Sequence, residues 1–199
     1  MNFWDQQFAV EGFKYGKAAN TFVCQQARHL PAAARILVPG DGEGRNSVWL
    51  AAQGHSVLAM DASIVGLQKA HAYTAERGVV IETVLADLTN WQPEAGGFDA
   101  VVLTYVHLPP AVLTVAHQRL ALALRPGGVL MLEAFHPAQL GRSSGGPRQP
   151  DLLYSRADLR ADFAGLLTEE LAEECEVILD EGPGHQGSAC VTRYLARRV

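Results

Sequence analysis

The chain has 199 residues, 48% hydrophobic and 19% charged, a balance that suits a folded α/β unit and excludes a largely disordered chain. Its 16 Lys+Arg against 21 Asp+Glu leave a formal charge of -5, so no basic excess draws it to phosphate backbones and no nucleic-acid partner is expected. No apolar run approaches the length of a membrane span and no secretory leader follows Met1, so no membrane partner and a cytoplasmic location are expected. Cys24, Cys175 and Cys190 are odd in number and widely spaced, which predicts reduced buried thiols and no metal site.

Residues 1–33 precede the first strand and are expected to form a helical cap of one or two helices, with Tyr15-Gly16 between them. From residue 34 short β-rich runs alternate with helical patterns, the signature of parallel βαβ units. Ile36-Leu37-Val38 centres a first strand that Pro39-Gly40 ends, and a helix follows over Asn46–Ala52, stopped by Gly54. His55–Met60 reads as the second strand and Asp61-Ala62-Ser63 as a turn, with Ser63 the N-cap of a helix over Ile64–Arg77 that Gly78 closes. Val79–Leu85 and Phe98–Thr104 read as the third and fourth strands. Pro109-Pro110 opens a helix reaching Leu124, Arg125-Pro126-Gly127-Gly128 turns, and Val129–Phe135 is the fifth strand. The rhythm then breaks. Residues 136–155 are glycine- and proline-rich, the pattern of a lid loop. A helix over Arg156–Phe163 precedes Leu167–Leu179 and Ala189–Ala196, two strands of an edge hairpin turning at Gly182-Pro183-Gly184, although the glutamates of 167–177 also permit a helix.

Gly40-Asp41-Gly42-Glu43-Gly44 stands where a strand hands over to a helix, and glycines there allow sharp turns and a ligand lying against the backbone. The dinucleotide pattern G-x-G-x-x-G is not met, because Arg45 takes the place of its third glycine. No Gly-Lys-Ser/Thr follows, so a P-loop is excluded. A tight βα turn is the plain alternative. Asp61, at the end of the second strand, lies beside that loop in an open α/β sheet, where a carboxylate can accept both hydroxyls of a ribose; a helix N-cap, for which Ser63 competes, is its plain alternative. Ala62 follows it on the same rim. Asp87 ends the third strand and either meets an adenine amino group, with Leu88 on the ring, or merely closes a turn before Thr89.

Taken together, residues 36–46, Val57–Asp61, Ala86-Asp87-Leu88 and Leu124–Leu130 resemble, in order and spacing, the class I S-adenosylmethionine (SAM) dependent methyltransferases. Phe3-Trp4-Asp5 with Tyr15-Gly16, Gly44-Arg45-Asn46 after the glycine loop, Gly145-Gly146-Pro147 and His185-Gln186-Gly187 look like the tellurite-resistance and thiopurine methyltransferase-like group, a match carried by the two ends of the chain. The resemblance implies a Rossmann-like, doubly wound, mostly parallel seven-stranded sheet with a C-terminal antiparallel hairpin, all within a single methyltransferase domain. It implies SAM as cofactor and S-adenosyl-L-homocysteine as product. Gly40, Asp41, Gly42, Glu43, Gly44, Arg45, Asp61, Ala62, Asp87, Leu88 and Thr104 then become the cofactor-binding residues. One departure is Val38, where the family's first motif often carries an acid that supports the methionine end.

Methyl transfer to a small-molecule acceptor is an in-line displacement from an already activated leaving group, so the protein contributes chiefly alignment and a dry site. A soft thiol or reduced chalcogen needs no strong base; an oxygen or amine acceptor calls for one. Tyr105 and His107 after the fourth strand and His136 after the fifth are the candidate catalytic groups, with cofactor wall or structural hydrogen bonding as the alternatives. Tyr15, Phe135, Arg142 and Arg148 are candidates for the acceptor side, the two arginines for an anionic substrate; a core plug for Tyr15 and solvated loop charges for the arginines are the alternatives, the latter the favoured one. His185 reads as a surface residue, and nothing in the sequence selects an oligomeric state. Two rival readings are a SAM-binding or interaction protein without catalysis, kept open by Val38, and a nicotinamide oxidoreductase, opposed by Arg45.

Overall fold

Seven strands in one sheet, ordered β3-β2-β1-β4-β5-β7-β6, carry the fold. A computed structural model describes residues 2–199, so Met1 of the expected cap lies outside the described residues. The strands are β1 (Arg35–Pro39), β2 (Ser56–Asp61), β3 (Glu82–Leu85), β4 (Phe98–Thr104), β5 (Leu124–Phe135), β6 (Leu167–Asp180) and β7 (Gln186–Arg198). The helices are α1 (Phe3–Phe8), α2 (Thr21–Gln26), α3 (Arg45–Ala52), α4 (Ile64–Arg77), α5 (Pro110–Ala123) and α6 (Arg156–Asp162). The first five strands pair in parallel, whereas β7 is antiparallel to both β5 and β6, giving the C-terminal hairpin.

The central strands are apolar on both faces because helices cover both, as parallel sheets require. Alternation along each strand sorts the side chains. Leu37, Val101, Leu103, Leu130 and Leu132 pack toward Leu113 and Leu120 of α5 and Leu159 of α6. Ile36, Val38, Ala100, Val102 and Met131 pack toward Phe22 of α2, Val48 of α3 and Ala70 of α4. Val38 is therefore a core residue, 1% exposed. Strand order reverses between β1 and β4, and the crevice outside the carboxyl ends of those strands is where such sheets bind ligands.

Several boundaries move for local reasons. Helix α3 begins at Arg45 rather than Asn46, directly after Gly44, whose φ is +91°. β2 starts at Ser56 and includes Asp61, which pairs with Leu85. β3 starts only at Glu82, because the N–H of Val79 donates to Thr74 O at 3.1 Å behind left-handed Gly78, while Val80 is 85% exposed. The expected turn at 125–128 is instead an irregular stretch of β5: Leu124 pairs with Phe98 and Val129 with Ala100, so the intervening residues bulge. Residues 167–177 are strand and not helix, since every second side chain of β6 can sit against the sheet while its glutamates meet arginines such as Arg160 and Arg193. Only Cys190 of the three thiols is buried; Cys175 is half-buried and Cys24 is exposed on a short helix.

Candidate active site at the strand ends

Loop Gly40–Gly44 turns sharply because Gly40, Gly42 and Gly44 all have positive φ. The space a side chain would take at Gly40 and Gly44 is filled by Val106 and Ala70, so close packing alone requires glycine at both. Across the loop, Asp61 accepts hydrogen bonds from Gly42 N and Ser63 N, both at 2.8 Å. Burial raises the Asp61 carboxyl above the usual range, against those bonds. Asp41 lies deeper. Its carboxyl accepts from Ser47 Oγ and Ser47 N, and burial pushes it up to about 7. Glu43 accepts from Lys14 N and Lys69 Nζ, each at 2.8 Å, which pins the segment before Tyr15 to the loop.

Residues 2–14 form a strap over this crevice. Asn2 and Asp5 cap α1 reciprocally, and Ser63 Oγ donates to Asp5 Oδ1 at 2.7 Å. Phe8, 3% exposed, lies against Gly42 and Gly66. Beside the strap a cleft of about 320 Å³ opens between Asn2, Asp5, Ala62, Ile64, Leu85 and Asp87. Asp87 is exposed there and accepts from Thr89 N and Thr89 Oγ1 at 2.9 and 2.7 Å, so it closes a turn while facing the cleft. Leu88 points the other way, into the core with Met60 and Leu113. It cannot pack on a ring in the cleft, which corrects the expectation for that residue.

The second half of the crevice lies over β4 and β5. Thr104 accepts from Asn46 Nδ2 at 2.8 Å, and Asn46 in turn accepts from Asn20 N, tying α2, α3 and β4 together. Tyr105 follows with φ of +54°, a left-handed conformation costly for a large residue and characteristic of functional sites. Its hydroxyl donates to Glu133 Oε1 at 2.7 Å, and burial followed by the Glu133 charge raises it well above a phenol's usual range. Glu133, 2% exposed, also accepts from Asn20 and Arg193. Arg45 pairs with Glu181 at 3.1 Å, and Glu181 accepts from His185 Nδ1 at 3.2 Å. Burial opposes ionisation of Glu181, but His185 and Arg45 outweigh it and hold the acid below its usual range. His185 is only 4% exposed, and burial lowers it. It is no surface residue. The Tyr15 ring lies tilted against it at 4.4 Å, and the Tyr105 and Phe135 rings meet it edge-on at 4.5 and 5.2 Å. Burial and the Glu43 charge push the Tyr15 phenol up to about 12.

Other expected site groups are committed elsewhere. His107 Nδ1 contacts Leu152 O at 2.6 Å and Nε2 accepts from Phe135 N at 3.4 Å, so both ring nitrogens serve the backbone and burial pushes the ring down to about 4. His136 accepts from Ala138 N at 3.0 Å, capping a short 3-10 turn. Neither stands ready as a base. Arg142 pairs with Glu176 and Ser188, which spends its charge. Arg148 is exposed on the lid and, with Arg142, lines a separate concavity of about 570 Å³. Among the described residues, no cluster of three or more His, Cys, Asp or Glu is arranged to hold a metal, and no helix is long and apolar enough to cross a membrane.

Residues 36–128 match the family described as "Methyltransferase domain". That match takes in a little under half of the chain. The 2-heptyl-1-hydroxyquinolin-4(1H)-one methyltransferase of Mycobacteroides abscessus is 30% identical over 123 residues, covering 59% of this chain and 54% of that protein. The chain thus spans about half the length of that curated relative. The N-methyltransferase NodS of Bradyrhizobium japonicum, solved with S-adenosyl-L-homocysteine, superposes with a TM-score of 0.74 at 18% identity over 98% of this chain and 96% of its own. TehB of Haemophilus influenzae superposes with a TM-score of 0.72 at 19% identity over 90% of this chain and 62% of its own. These two likenesses concern the fold.

The crevice has the chemistry to suit a nucleoside at one end: Asp61 keeps free lone pairs beside Gly42, and the cleft at Ala62 and Asp87 adjoins it. At the other end stand Arg45, Tyr105, Glu133, Glu181 and His185, of which Glu133 and Glu181 escape a reading of motifs and His185 is met only as part of His185-Gln186-Gly187. Glu133 sits in an apolar strand, and Glu181 and His185 flank a hairpin turn that only the tertiary fold brings under Tyr15. The i, i+4 spacing of Glu181 and His185 is a local signal for their pairing.

Proposed function

We propose that the chain transfers the methyl group of SAM to a small molecule. The observation that carries this reading is the 2.8 Å hydrogen bond from Gly42 N to Asp61, which joins the glycine loop and the β2 acid at the switch point of the sheet. Asp61 would receive the ribose hydroxyls, and Ala62 and Asp87 would flank the base. Bound SAM supplies an activated methyl group, and the residues around it align the acceptor and exclude water. Glu133 and Tyr105 provide rigidity for this, since the strained tyrosine is held at both its N–H and its hydroxyl. A nicotinamide oxidoreductase is not favoured, because Arg45 fills the place of the third glycine and is tied to Glu181.

Two acceptor classes have structural support. A soft thiol or chalcogen, as in the tellurite-resistance-like resemblance, is supported by the commitment of His107 and His136 to backbone bonds, which leaves few bases. A harder oxygen or nitrogen acceptor is supported by His185: its Nδ1–H donates to ionised Glu181, so Nε2 carries the lone pair and can take a proton. An acidic chain with no paired cysteines supports a reducing, cytoplasmic setting. The test is turnover of SAM to S-adenosyl-L-homocysteine against a panel of thiols, selenite, tellurite, phenols and amines. Product with any of them supports the reading, and failure of the chain to bind SAM in calorimetry removes it.

A further inference from the structure

The lid after β5 is fixed more firmly than a connecting loop requires. Gln139, 2% exposed, donates from Nε2 to Ser144 Oγ and to Gly145 O, each at 2.9 Å, while its Oε1 accepts from Cys190 N at 2.8 Å. Ser144, equally buried, donates to Ser188 O at 2.7 Å. Arg142 reaches Ser188 Oγ at 2.7 Å and pairs with Glu176. Buried polar side chains so fully bonded hold one loop shape against β6 and β7. The loop in that shape lines a concavity of about 570 Å³.

The lining holds Arg142 and Arg148 and no carboxylate, in a chain whose formal charge is -5. Glu176 neutralises Arg142, whereas Arg148 is exposed and makes no ion pair among the described residues. Backbone donors stand beside it. No described protein group accepts a hydrogen bond from the N–H of Ser143, Gly145, Gly146 or Arg148, all of them lining residues. Gly145 and Gly146 have φ of +120° and +88°, and successive N–H groups around left-handed residues make anion-binding concavities. A lone guanidinium on a surface is commonly only solvated. One that stands beside several free amides, with no acid in the lining, is the donor set that an oxyanion matches.

The same glycines join this concavity to the acceptor end of the crevice. A Cβ at Gly145 would lie 2.6 Å from His185 Cδ2, and one at Gly146 would lie 2.8 Å from Phe135 Cδ2. Residues that line the concavity therefore rest directly on those two rings. We propose that the lid concavity binds an oxyanion, held by the Arg148 guanidinium and the free amides of Ser143, Gly145 and Gly146. Two sources bring that chemistry: the acidic group of a methyl acceptor, and a free inorganic anion. The first rests on the methyltransferase reading and the second does not.

Calorimetric titrations with inorganic phosphate, benzoate and uncharged benzamide test the site, each with and without saturating S-adenosyl-L-homocysteine and at constant ionic strength so that screening is equal. The proteins compared are the wild type, Arg148→Gln and Arg77→Gln, the last removing an exposed charge from α4 instead of the lid. Phosphate or benzoate should bind the wild type and Arg77→Gln alike and weaken about 10-fold in Arg148→Gln. No anion binding to the wild type, no loss in Arg148→Gln, or an equal loss in both variants overturns the proposal and leaves Arg148 a solvated loop charge. Benzoate that binds more tightly than phosphate and benzamide, and more tightly still with the nucleoside present, assigns the site to the acceptor. Phosphate bound equally with and without the nucleoside assigns it to a free anion. If the wild type does not bind S-adenosyl-L-homocysteine, the methyl-donor reading fails, and the phosphate and benzoate titrations of the same proteins still decide Arg148.

Discussion

Asp61 and Gly42 are 19 residues apart in sequence and 2.8 Å apart in space, the carboxylate of one accepting the backbone N–H of the other. The bond fixes the glycine loop against the end of β2, and the same carboxylate holds Ser63 N at the entry to α4. Asp61 thus has a structural duty at the point where the proposed function also gives it a ribose to bind. Asp61→Ala should weaken S-adenosyl-L-homocysteine by about 1–3 kcal/mol and lower stability by a similar amount, because two amide donors lose their acceptor. Calorimetry and urea unfolding read the two separately, and unchanged nucleoside affinity would remove the ribose role.

Asp41 makes stability depend on pH in the alkaline direction. Burial holds its carboxyl near 7 in the fold, against 3.8 for the ordinary group, so the folded chain keeps a proton that the unfolded chain releases. That contribution is present at low pH and is lost as pH rises through about 7. Asp41→Asn should therefore stabilise the chain at pH 8 by on the order of 2–4 kcal/mol and change little near pH 4. Urea midpoints at the two pH values check it; equal effects at both would exclude a titrating Asp41.

His107 acts in the opposite direction. Its ring is pushed down to about 4, so the neutral form stabilises the fold at neutral pH and the stability is lost as pH falls from 6.5 toward 4. The loss approaches about 3 kcal/mol in the wild type. His107→Gln should flatten this limb of the profile, measured by urea unfolding from pH 7 to pH 4.5. A variant that loses stability with acid as steeply as the wild type would show that another group is responsible.

Gly40 is held by geometry. Its φ is +64° and an added Cβ would lie 2.4 Å from Val106 Cγ2. Gly40→Ala should cost about 1–3 kcal/mol from overpacking, with backbone strain added. Val106→Ala in the same chain should return part of that loss by making room, and thermal melts of the four combinations measure the coupling. Strict additivity would mean that backbone strain alone is at work.

Much of this architecture was legible because it is local. Strand, glycine loop and helix follow one another within residues 35–52, and the apolar runs of β1 and β4 announce strands covered on both faces. Asp61 could be placed at the loop because parallel neighbours in an open sheet end side by side. The same logic misplaced Leu88, whose side chain turns to the core one residue after Asp87 faces the cleft. His185 was misread because a polar residue beside a glycine-proline turn has the composition of a surface, and nothing near it in sequence names Arg45 or Tyr15 as its neighbours. His107 could be seen as near the site, but not that two backbone groups already occupy its nitrogens.

Order of elements, the two-sided core and the crevice at the sheet's reversal follow from the sequence, since periodicity and turn residues act over a few positions. The protonation of the buried acids, the choice between histidines and the pairing of Arg45 with Glu181 belong to the tertiary structure. Those properties arise from charges brought together across more than a hundred residues, where burial removes the water that would otherwise satisfy each of them.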